Sequence, residues 1–226
     1  DKEWDKDKIE YLLIGDSFTH GACVNEPDTI GGNLRKLNNN KNGVLNLGYG
    51  GNASLLEYAT LREYWPEKKV KRVLWLYFEN DFRCLTNELN NKILVNYLND
   101  KNFSQNLILR KQEIQNLLLK KLKLAELQQA ALKEGSKIIT TPSVSKTVKQ
   151  NKFVGLIKFV RLDSIRGFTF YYTITTAQKM PVKNILQLSK EFTKQNNSKL
   201  YFVFIPDIFR NFMDYRQIIQ LVESLN

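Results

Sequence analysis

Short runs that are apolar throughout alternate with segments of helical spacing along most of this chain. "IEYLLIG" (9–15), "NGVLNLG" (42–48), "KRVLWLYF" (71–78) and "KLYFVFIP" (199–206) are continuous enough to read as strands buried on both faces. The first ends in Gly15, the second runs into the glycine cluster "GYGGN", and the fourth stops at Pro206. Between and after them, "SLLEYATLREYW" (54–65), "NILQLSKEFTKQ" (184–195) and "DYRQIIQLVESLN" (214–226) carry helical periodicity. Asp16 and Ser17 are N-capping residue types directly after the first strand, so a turn and a helix start are expected there. Apolar strands alternating with helices predict an α/β fold: three layers, α/β/α, around a mainly parallel sheet.

The middle of the chain departs from this pattern. "FSQNLILRKQEIQNLLLKKLKLAELQQAALKEG" (103–135) reads as a long helix with an apolar stripe through Leu107, Ile114, Leu118, Leu124, Leu127 and Ala131. Residues 136–180 hold Ser/Thr/Lys tracts and then "KFVGLIKFVRL", which reads as a basic amphipathic helix. The expectation is one domain over 1–226, with residues 100–180 as a basic helical insertion or cap. The final helix follows a buried strand with no further strand for a crossover to reach, so the fold is expected to be cut short at the C-terminus.

Charge sharpens that division. The 226 residues are 42% apolar, enough for a real core, and carry a formal charge of +11. Residues 1–100 hold 13 basic and 15 acidic side chains, residues 101–199 hold 19 and 5, and residues 200–226 hold 2 and 3. All the excess sits in the middle segment, which points to a local acidic partner or a membrane surface and away from a nucleic-acid-binding protein. No run approaches the roughly 18 apolar residues of a membrane helix. With one histidine, a Cys/His metal cluster cannot be assembled, and no metal or cofactor is expected. Cys23 and Cys84 both follow strand ends; they read as half-buried thiols or as a disulfide.

Three strand ends carry candidate chemistry. Ser17 sits at the carboxyl edge of the sheet, where open α/β folds bind ligands; it reads as a capping serine or as an exposed hydroxyl beside the first N–H groups of a helix. "GYGGNA" lacks the dinucleotide-binding spacing, and its glycines read as a tight turn or as a place where backbone N–H approaches a ligand. Asn80 and Asp81 end the strongest strand, as a turn pair or as an amide that polarises a carbonyl.

Taken together, "GDS" (15–17), "NLGYGGN" (46–52) and "END" (79–81) resemble the first three blocks of the SGNH (GDSL-type) hydrolase family, in the family's order, across residues 9–85. "KLYFVFIP" and its flanking helices are similar to the later part of that fold. The resemblance implies a serine esterase or acyl hydrolase acting on a small ester or an acylated carbohydrate or lipid. It implies Ser17 as nucleophile, with the N–H groups of Ser17 and Gly51 and the amide of Asn80 as the oxyanion hole. Asp16 would organise the turn. Phe78 stands where the family has a glycine. Bacterial relatives often act outside the cytoplasm, which favours an extracytoplasmic or membrane-associated setting.

The family's Asp-x-x-His block is absent, and no histidine follows His20. Ser17 and His20 are spaced i, i+3 and can share a helical face, but a base must also be oriented and come within about 3 Å. The expectation is that His20 is packed or solvent-facing near the pocket and that the base-bearing segment is missing from this chain. The other readings are an O-acyltransferase using the same residues, and a non-catalytic binding module that works through the basic insertion.

Overall fold

The structure, a computed structural model, describes residues 2–78, 81–137, 176–206 and 215–225. Strand β1 (Ile9–Gly15) has six of its seven residues buried, as expected of a central strand. A single helical turn α1 (Ser17–His20) follows, then α2 (Ile30–Leu37), β2 (Gly43–Asn46), α3 (Ser54–Glu63) and β3 (Val70–Phe78). After β3 come α4 (Asp81–Leu89), α5 (Lys92–Asn99), α6 (Lys111–Lys137), α7 (Thr176–Gln195), β4 (Lys199–Ile205) and α8 (Tyr215–Glu223). The four strands are parallel, in the order β2–β1–β3–β4. The fold is α/β, with helices on both faces of a parallel sheet.

Strand alternation sorts side chains onto two faces. Leu12, Ile14, Val73, Trp75 and Tyr77 share one face and join Leu55, Leu61, Tyr97, Ile185 and Ile218 from the helices in the main core. On the other face, Gly31 of α2 approaches Leu13 and Asn46. The chain therefore leaves β1 through α2 on one face and returns from β2 through α3 on the other. That reversal places a crevice between the carboxyl ends of β1 and β3, the topological switch point where open parallel sheets bind ligands.

Three helices had no counterpart in the sequence pattern. Two glycines at the start of α2 hide it, yet Thr29 caps it by accepting the Gly32 N–H at 2.9 Å. A Cβ on Gly32 would lie 2.2 Å from the Glu26 carbonyl, so the glycine is needed for the close turn before it. The helices α4 and α5 follow β3 at once, where only a turn was expected. The helix α7 begins at Thr176 rather than at 184 and carries Pro181 inside it. Burial of Val182, Ile185 and Leu186 outweighs the hydrogen bond the proline removes.

The chain divides into two units, Asp1–Gln105 with Tyr171–Asn226, and Asn106–Phe170. The core residues named above all belong to the first. Within the second, Leu117, Leu118, Leu122, Leu124 and Leu127 of α6 are more than half exposed. The segment "KFVGLIKFVRL" lies outside the described residues. No described helix is long and apolar enough to cross a membrane.

Candidate active site

The first junction is built around Gly15, Asp16 and Ser17. Gly15 has φ +150°, and a Cβ there would fall 2.0 Å from Thr19 Oγ1 and 2.4 Å from the Leu76 carbonyl. Only glycine lets β1 turn this tightly beside β3. Asp16 is buried and accepts the Phe18 N–H at 2.9 Å, which caps α1. The Ser17 hydroxyl donates to Asp16 Oδ2 at 3.4 Å, a long bond that leaves the oxygen weakly held. The turn ends at Gly21 (φ +82°), whose N–H bonds the Ser17 carbonyl. One turn has little dipole, and its Phe18 N–H is already taken by Asp16, which reduces the expected help from helix N–H groups.

The second junction is stitched to the first. The Asn46 amide donates to the Thr19 carbonyl at 2.7 Å and accepts the Gly48 N–H at 2.9 Å, while the Tyr49 N–H bonds the Gly15 carbonyl at 3.1 Å. A Cβ on Gly48 would lie 2.5 Å from Thr19 Cβ, so the loop passes close over α1. A Cβ on Gly50 would stand 3.6 Å from Ser17 Cβ, which places this loop directly against the serine. Gly51 is exposed, with φ +90° and nothing within 4 Å of where a Cβ would be. Among the described residues, the N–H groups of Ser17 and Gly51 make no hydrogen bond.

The third junction reaches the same place from β3. Phe78 stacks on Phe18 with ring centroids 4.0 Å apart, and its N–H bonds Asp81 Oδ2 at 2.9 Å. The Phe78 ring thus pairs with the residue after the serine. Asn80 lies outside the described residues.

Carboxyl groups are packed beneath these junctions. Asp81 is 0% exposed and Glu57 1%. Desolvation, then the nearby Glu57 and Asp16 carboxylates, pushes Asp81 up to about 11. Desolvation pushes Glu57 up to about 8 against the opposing bond from Trp75 Nε1 at 2.6 Å, with Glu88 and Asp16 adding to the rise. Burial likewise raises the Tyr77 hydroxyl well above its ordinary value, with Asp81 as the next cause. Thr19 Oγ1, Glu57 Oε1 and Asp81 Oδ1 are buried with no hydrogen-bond partner. Burial and mutual repulsion favour the protonated forms of Asp81 and Glu57, and among the described residues no three metal-binding side chains converge.

The His20 side chain makes no hydrogen bond to Ser17. Its ring is exposed and stacks on Tyr49, centroids 5.7 Å apart and planes 22° apart, and it makes no hydrogen bond among the described residues. Beside it opens a cleft of about 560 Å³ lined by residues including Lys2, Glu26, Thr29, Arg35 and Asn46, but not Ser17. Cys23 is exposed and Cys84 half-buried; both are free thiols, which corrects the disulfide alternative and the half-buried reading of Cys23.

The structure brings Ser17 and the glycine loop together; sequence reasoning gave no role to Thr19, Asn46, Phe18 or Tyr49. An asparagine just before a glycine-rich βα turn was the available signal for Asn46. Comparison with protein-family models, with characterised proteins and with solved structures returns no match.

Proposed function

We propose that this chain carries the nucleophile and oxyanion-binding part of a serine esterase of the SGNH type. The observation that supports it most is the pair of unspent N–H groups, on Ser17 and Gly51, at the switch point where the Gly48–Gly51 loop lies against the serine. In the proposed reaction Ser17 Oγ bonds to the ester carbonyl carbon and its proton passes to a base. The carbonyl oxygen gains negative charge, which the two N–H groups stabilise. The resemblance adds the Asn80 amide as a third donor. Collapse breaks the bond to the alcohol, which leaves with a proton, and water then releases the acid from Ser17.

Among the described residues no base is hydrogen-bonded to Ser17 Oγ, because His20 stacks on Tyr49 and Asp16 makes only the long contact. Imidazole in solution can act as that base. Hydrolysis of p-nitrophenyl acetate is expected to rise with added imidazole beyond the rise seen with Ser17→Ala, and intact-mass analysis is expected to find one acyl group on Ser17. Asn80→Ala is expected to lower the Ser17-dependent rate by about 10²–10³. Identical imidazole dependence in wild type and Ser17→Ala, with no acylated protein, would leave the non-catalytic binding module as the better reading.

A further inference from the structure

We propose that the stack of Phe18 on Phe78 is a latch across the crevice between β1 and β3, held shut by the buried carboxyl groups of Asp81 and Glu57 and released when that pair loses a proton. The latch stands whether or not Ser17 is a nucleophile. Phe18 follows β1 and Phe78 ends β3, so the ring contact, with centroids 4.0 Å apart, bridges the carboxyl ends of the two strands. Carboxyl oxygens hold both residues through the main chain. The Phe18 N–H donates to Asp16 Oδ1 at 2.9 Å, and the Phe78 N–H to Asp81 Oδ2 at 2.9 Å. Phe18 is 48% exposed, which leaves its ring room to swing out once the stack parts.

Beneath the latch, α3 sets Ser54 and Glu57, one helical turn apart, against β3. Ser54 Oγ donates to the Tyr77 hydroxyl at 3.0 Å, and Trp75 Nε1 donates to Glu57 Oε2 at 2.6 Å. Glu57 Oε1 and Asp81 Oδ1 are buried and have no hydrogen-bond partner among the described residues. A neutral carboxyl is tolerated in such a place, whereas a charged one with an empty oxygen is strongly disfavoured. The groups facing the pair are Asp16 at the end of β1, Trp75 and Tyr77 of β3, and Glu88 and Cys84 of α4; none is a cation. Glu57 keeps its proton to about 8 and Asp81 to about 11, chiefly through desolvation, so Glu57 ionises first. Its new charge must be met by water, which enters where packing yields most easily. Helix α3 does not yield, because Leu55 and Leu61 are fully buried and Glu88 binds its first N–H groups. The first turn of α4 does, since the Phe78–Asp81 bond ties it to β3. Loss of that bond frees Phe78 from Phe18 and opens the crevice.

Nuclear Overhauser contacts between the Phe18 and Phe78 rings, in protein carrying carbon-13 in its Phe, Leu and Val side chains, report the latch directly. Ring protons do not exchange with water, so the contact can be followed at any pH. It is expected to be strong at pH 6 and at least fivefold weaker at pH 9, while contacts between Leu12 and Val73, paired across β1 and β3, persist. Glu57→Gln keeps an acceptor for Trp75 but has no proton to lose, and is expected to hold the ring contact at full strength at pH 9. Glu57→Met, equally unable to ionise, serves the same purpose if the glutamine variant does not fold. Asp81→Ala is expected to weaken the ring contact at both pH values, because the Phe78 N–H loses its acceptor. A ring contact that persists at pH 9 in the wild type, or fades equally when residue 57 cannot ionise, overturns the latch. Fading together with the Leu12–Val73 contacts overturns it too, since the whole sheet would then be unfolding.

Discussion

At Gly15 one methyl group decides whether the first junction closes. Gly15→Ala would press a Cβ onto Thr19 and the Leu76 carbonyl, and backbone cannot yield as a side-chain end can. It is expected to lose about 1–3 kcal/mol in urea denaturation. Gly50→Ala meets only an ordinary 3.6 Å contact with Ser17 Cβ, so its stability is expected to hold within about 0.5 kcal/mol while acylation of Ser17 slows. The buried acids give a pH signature. Unfolded, Asp81 and Glu57 release protons near 3.8 and 4.5; folded, they hold them to about 11 and 8. The folded state therefore binds more protons in between, and stability falls as pH rises from about 4.5 toward 8 and beyond. The groups around them, Asp16, Glu88, Tyr77 and Cys84, bring no cation that would reverse the sign. Glu10, held low chiefly by its Lys71 hydrogen bond, has the opposite sign, and its contribution is lost only in acid. Thermal midpoints are expected to drop from pH 5 to pH 8, with a shallower slope in Glu57→Gln. A flat profile would mean these acids are ionised or solvated in the folded protein. Of the residues in this paragraph, the sequence made Gly15 legible as a strand end; that Glu57 lies under the site was invisible, because its neighbours come from β3 and α4.

Helix α3 starts without a cap of its own. Ala53 has no side-chain acceptor, and the free N–H groups are satisfied by Glu88 of α4, which accepts from Ala53 at 2.7 Å, Leu55 at 3.0 Å and Leu56 at 3.1 Å. A carboxylate there meets both the orphan donors and the positive end of the helix. Glu88→Ala is expected to cost ~2–3 kcal/mol, and Glu88→Gln clearly less, because the amide oxygen keeps part of the bonding. Equal losses would make packing, not hydrogen bonding, the role of the side chain. The start of α3 at Ser54 was legible from its apolar spacing and from the glycine turn before it. Its cap was not, since the acceptor lies over thirty residues away in sequence. The same limit hid α4: "NDF" after a strand is good turn chemistry, and only burial of Asp81 and Leu85 makes it the first turn of a helix.

On the scale of the molecule, nine of the eleven net positive charges lie in Asn106–Phe170, which holds 13 basic and 4 acidic residues. The described core of the other unit takes no residue from that segment. Replacing Asn106–Phe170 by a flexible Gly/Ser linker is therefore expected to leave a cooperatively unfolding protein whose Ser17 still acylates, since closing a longer or shorter loop changes stability only slowly with length. Loss of cooperative unfolding would show that the basic segment completes the core. By itself the sequence determined the four strands and the placing of Ser17 and the glycine loop at strand ends, because apolar runs and turn residues are read locally; burial on both faces was expected of β4 too, but Tyr201 and Val203 are exposed there. Tertiary structure decided the rest: which strand ends meet, that His20 stacks on Tyr49, and that Asp81 and Glu57 are buried together. Strand order and long-range burial set those contacts, and no spacing along the chain encodes them.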